Sequence, residues 1–167
     1  MPASLNIGDI LVVLFGRSEP DTFHWTICVP ISATVAAKYH VKQSGTNWWF
    51  DYSEETGIPE HSVTTSATVS VGIKIGSLDP RTVNKEVLTQ YLKTIEIAVP
   101  AVDQAREPKF TCRVWFREAI RVLNNAGVLN CEDVDALEEE CKEYGKANQA
   151  AFADYKGYLY YVSDYSA

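Results

Sequence analysis

Four cysteines and three histidines carry most of the nucleophilic and basic chemistry open to this 167-residue chain, and Cys112 is the thiol best placed to use it. It follows Thr111, a residue suited to capping a helix. Cys112, Trp115, Phe116, Ala119, Ile120 and Leu123 then recur at three-and-four spacing up to Gly127, a left-handed terminator. The pattern predicts a helix with a single buried stripe, Phe110 packing back on Trp115, and Arg113, Arg117, Glu118 and Arg121 on the opposite face. A thiol in the first turn of such a helix lies at the positive end of the peptide dipoles, one recurrent way of making a cysteine nucleophilic.

A thiol that attacks a carbonyl needs a base, and the base needs a partner that fixes its tautomer. In Phe23 to Val29, strict alternation sets His24, Thr26 and Cys28 on one side of a strand and Phe23, Trp25, Ile27 and Val29 on the other. Ala36 to Val41 reads as the next strand, with Lys38 and His40 on one face, so a short hairpin can bring the two imidazoles together. His61, beside Pro59 and Glu60, has no partner in the sequence and reads as a surface residue.

The surrounding elements follow from period and punctuation. Ile7 to Phe15 is a first strand entered through Gly8 and Asp9, and Trp48 to Tyr52 a fourth, whose aromatics suit either cross-strand packing or ligand contact. Val63 to Leu78 predicts one or two more strands, and Val83 to Ile95 a helix opened by Asp79 and Pro80. A last helix is expected from Glu132 to Tyr155. Its Val134, Leu137, Cys141 and Tyr144 face inward and Glu138, Glu139 and Glu140 face solvent; an aromatic, strand-like tail closes the chain.

Composition narrows the function. With 46% hydrophobic residues and 22% charged, the chain has the make-up of one globular domain, residues 1–167. A net charge of −7 without a Lys/Arg cluster argues against a nucleic-acid partner. The absence of a run of about 18 apolar residues argues against a membrane span, and no signal peptide is expected from Met1 to Asn6. The cysteines show neither Cys-x-x-Cys pairing nor a histidine at zinc-ligand spacing. His24, His40 and Cys112 could supply three metal ligands but no fourth is indicated, so no metal is expected, nor is another cofactor. The four cysteines are expected as free thiols in a reducing, cytoplasmic setting, their even count leaving disulfides open on export.

Gly8-Asp9-Ile10-Leu11 before the first strand, His24-Trp25 within the second, Tyr39-His40 on the third and Cys112 at a helix start form an ordered set. That set resembles the circularly permuted NlpC/P60-type, papain-like thiol enzymes, and among them the lecithin:retinol acyltransferase-like branch. The likeness spans about residues 7–41 and 110–124; Thr111 stands where the acyltransferase-like families carry Asn, and the His24–His40 interval is longer than theirs. It implies an α+β fold with an antiparallel sheet packed against the Cys112 helix. It also implies a Cys112–His24–His40 triad acting on an amide, peptide or ester bond of a small-molecule or peptide substrate through a thioester. Trp25, Trp48 and Trp49 are the expected substrate contacts. A second reading keeps the fold and makes Trp48, Trp49, Tyr52 and the tail tyrosines a carbohydrate- or peptide-binding surface without chemistry.

Overall fold

The computed structural model describes residues 6–17, 19–56, 69–79, 81, 84–150 and 160–167. Strands β1 (Asp9–Gly16), β2 (Phe23–Pro30), β3 (Val35–Ser44), β4 (Asn47–Thr56), β5 (Val69–Ser77) and β6 (Tyr160–Val162) form one sheet in the order β4-β3-β2-β1-β5-β6. Between β5 and β6 come helices α1 (Lys85–Lys93), α2 (Cys112–Asn125) and α3 (Val134–Ala150), with a 3-10 turn at Ala101–Asp103 before α2. The fold is α+β, as expected. His61 and the segment from Val63 to Ala67 lie outside the described residues, as does the stretch beyond Ala150 assigned above to the last helix.

Short connections make β1 to β4 an antiparallel meander, and Gly45, at φ +60°, supplies the left-handed residue in the two-residue β3–β4 turn. The sheet is mixed, however, and not antiparallel throughout. β6 runs parallel to β5, pairing Gly72 with Tyr160 and Lys74 with Val162, because the chain returns to the sheet only after the crossover that contains α1, α2 and α3.

Alternation along the strands gives the sheet two unlike faces. Ile10, Val12, Leu14, Phe23, Trp25, Ile27, Tyr39 and Val41 point to the helices and join the α2 stripe in the main core. The reverse face carries a smaller cluster of Leu11, Val13, Cys28, Ala36 and Tyr160 with Phe15 against it, and beside that cluster a charged ladder, Lys38–Glu55 at 3.2 Å and Lys42–Asp51 at 3.2 Å.

Helix α2 forms as its sequence requires: Thr111 Oγ1 accepts the Val114 N–H at 3.3 Å, and Gly127 takes φ +74° just past the end. Phe110 packs edge-on to Trp48 at 5.5 Å, and the Phe50 ring lies 6.1 Å from that of Trp115. The charged side of α2 is not a solvent face. Arg117 is 3% exposed and bonded to Asp103 and Asp135, while Arg113 bridges Glu107 and Glu138 at 2.7 Å each. Glu138 and Glu140 are accordingly buried, against the expectation for the acidic run on α3: Glu138 answers the α2 arginines, and Glu140 accepts the Ser163 hydroxyl and the Asp164 N–H.

Candidate functional site

The β2–β3 ladder ends at Ile27 and Tyr39, whereas β3 remains paired with β4 as far as Ser44. Beyond that point β2 and β3 separate, and the seam between them gathers the chemistry. On the reverse face His24 Nε2 meets His40 Nδ1 at 2.7 Å across the seam, and His40 Nε2 lies 3.1 Å from Asp51 Oδ2 on β4. Lys42 is 3.2 Å from the same carboxylate oxygen.

This chain of contacts sets the tautomers. Hydrogen bonds from Lys42 and His40 outweigh partial burial and hold the Asp51 carboxyl below its ordinary range, so it is an ionised acceptor. It therefore takes the Nε2–H of His40. Nδ1 of His40 is left as an acceptor for the Nε2–H of His24, and the Nδ1 lone pair of His24 has no partner among the described residues. Burial, with the nearby positive charges of Arg17, Lys38 and Lys42 and the neighbouring His40, lowers the His24 pKa from 6.5 to about 3. Burial and Lys38 likewise lower that of His40, the Asp51 contact offsetting part of the effect. Both imidazoles are neutral at pH 7.

Cys112 approaches the seam from the helix side. It belongs to the main core, is 3% exposed, and its sulfur is 3.3 Å from Arg17 Nη2 and 4.0 Å from the Phe23 carbonyl oxygen. Because Arg17 N–H bonds the Thr22 carbonyl, alternation turns the next carbonyl, that of Phe23, away from β1 and into the seam. The structure thus brings His24 and His40 into contact and sets Cys112 against the main chain one residue before His24, but on the opposite face of the sheet. Neither imidazole is hydrogen-bonded to the sulfur.

The three tryptophans separate. Trp25 is buried and tilted against Phe116 at 4.7 Å, a core residue with no surface for a ligand. Trp49 is 39% exposed on the reverse face. Trp48 lines a cleft of about 650 Å³ beside the α2 start, together with Arg17, Gln43, Lys109, Phe110 and Thr111. The other thiols are inert by burial, which raises the Cys28 pKa to about 12 and pushes those of Cys131 and Cys141 upward.

Asp51 and Arg17 are the site residues that sequence reasoning missed. Alternation could have placed Asp51 on one β4 face with Trp49, but which β3 residue it opposes depends on the tight Gly45 turn that sets the register. Arg17 lies in a loop, 95 positions from the sulfur it touches, and no local pattern marks it. Among the described residues no group of three or more His, Cys, Asp or Glu side chains is arranged to hold a metal ion, and no helix is long and apolar enough to cross a membrane. Comparison with protein-family models, curated proteins and solved structures finds no match.

Proposed function

We propose that this chain is a cysteine-dependent hydrolase or acyltransferase of the permuted papain-like, NlpC/P60 type, with Cys112 as nucleophile, His24 as base and His40 as orienter. The observation that carries the reading is the Asp51–His40–His24 chain, which ends at the seam in a neutral imidazole with a free Nδ1 lone pair. In the reaction, the Cys112 proton passes to His24 Nδ1 while the sulfur bonds the acyl carbon. The negative charge that develops on the sulfur and then the oxyanion offsets the burial that keeps the resting imidazole neutral. The Cys112 N–H, a first-turn amide with no intrahelical acceptor, is placed to bond the oxyanion. The protonated His24 returns the proton to the leaving amine or alcohol, a thioester remains, and water or a second nucleophile releases the acyl group.

The mechanism requires Cys112 to turn from the Phe23 carbonyl into the seam. Arg17, which donates to the sulfur, is the gate of that motion. Iodoacetamide alkylation at pH 7 tests the reading: fast modification at Cys112, slowed at least tenfold by His24→Ala, is the expected result (about 1.4 kcal/mol of barrier). Equal sluggishness of all four thiols would remove the enzyme.

One observation favours a second reading, a binding module without chemistry: Cys112 is 3% exposed and its sulfur is bonded to Arg17 and Phe23 in place of an imidazole. Ligand binding in the cleft that survives Cys112→Ala, together with slow alkylation, is its signature.

A further inference from the structure

The cleft beside the α2 start is electrostatically unlike the rest of the molecule. The chain carries a net charge of −7, yet Arg17 and Lys109 both line this cleft and no Asp or Glu does. Most other described cations are matched to carboxylates, as Lys38 is to Glu55, Lys74 to Asp9, Arg113 to Glu107 and Arg121 to Asp103; the two that are not, Lys93 and Lys146, stand apart from any shared concavity with a second cation. Among the described residues, neither Arg17 nor Lys109 has a carboxylate within ion-pairing distance, and the side-chain hydrogen bond Arg17 makes is to the Cys112 sulfur. Trp48 and Phe110, edge to face at 5.5 Å, line the cleft, and Ile97, also lining it, is 38% exposed.

Two unmatched cations beside an aromatic pair, in a concavity of about 650 Å³, form a site for a small molecule rather than for a protein surface. A ligand here brings its own negative charge to groups the fold leaves unpaired, and it covers the faces of Trp48 and Phe110 with flat apolar surface. We infer that this cleft is the acyl-substrate subsite and selects molecules that carry an anionic group beside an aromatic or flat apolar portion. The inference rests on the function proposed above for its location: Thr111 lines the cleft immediately before Cys112, and Arg17 touches both cleft and sulfur. An anion held between Arg17 and Lys109 then draws Arg17 off the sulfur and leaves the thiol free to turn into the seam.

Calorimetric titration of the full chain with N-acetylphenylalanine, its neutral amide and phenyl phosphate tests this. At least one of the two anions is expected to bind about tenfold or more tightly than the amide, and the stronger of the two tells carboxylate from phosphate recognition. Lys109→Gln, at a site without structural partners, and Arg17→Gln are each expected to cut that preference about fivefold, as is raising NaCl from about 0.05 to about 0.5 M. Equal affinity for anion and amide, no binding of either anion, or a preference indifferent to both substitutions would overturn the inference. The two readings fail separately. Slow Cys112 alkylation with anion binding intact removes the chemistry and keeps the subsite, whereas fast alkylation without anion binding does the reverse.

Discussion

Acidification from about pH 7 to about pH 5 should cost this fold about 2 kcal/mol through His24 alone. In the unfolded chain the imidazole titrates at its ordinary 6.5; in the fold, burial first and then His40 and Arg17 lower it to about 3. Between those values the unfolded state holds a proton that the folded state refuses. Stability therefore rises with pH through the window, is fully present above about 6.5, and is lost as pH falls toward 3. Each pH unit on the steep part is worth about 1.4 kcal/mol, and the result at pH 5 is insensitive to how far below 5 the folded value lies. Urea unfolding at the two pH values, for the wild type and for His24→Asn, isolates the effect: the variant should lose about 2 kcal/mol less than the wild type. An NMR titration of the His24 ring that shows no protonation above about pH 5 is the companion result. Equal losses in the two proteins, or a ring that titrates near 6.5, would refute the account of the Asp51–His40–His24 chain.

Other predictions follow from the same geometry. Asp51→Asn removes the acceptor that dictates the His40 tautomer, so Cys112 alkylation should slow by about tenfold or more, with about 1–2 kcal/mol of stability lost in urea titration. Arg117→Met leaves Asp103 and Glu138, each no more than 1% exposed, short of one guanidinium, and should cost about 3 kcal/mol; a loss under about 1 would show that Arg113 and Arg121 suffice. Gly145→Ala places a Cβ 2.8 Å from the Phe23 ring and 3.1 Å from Leu14, so thermal unfolding should come several degrees earlier despite the better helix propensity of alanine.

Period and punctuation in the sequence were enough for the elements whose signal is local. The α2 stripe from Cys112 to Leu123, its Thr111 cap and Gly127 terminator, and the alternation that separates His24 from Trp25 all appear in the structure as the residues require. Each depends on neighbours within a turn of helix or two positions of strand, distances over which backbone geometry is fixed by chemistry alone. The β6 direction, the burial of Glu138 and the pairing of His40 with Asp51 depend on partners between 11 and about 90 residues away, whose choice minimises buried charge and exposed apolar area over the whole chain. The same holds for the sulfur. Its helix and its inward side were legible in the sequence, but its pairing with Arg17 and Phe23, on the face opposite the imidazoles, was decided by where the β2–β3 ladder stops, and hydrogen-bond register between strands is a property of the assembled sheet.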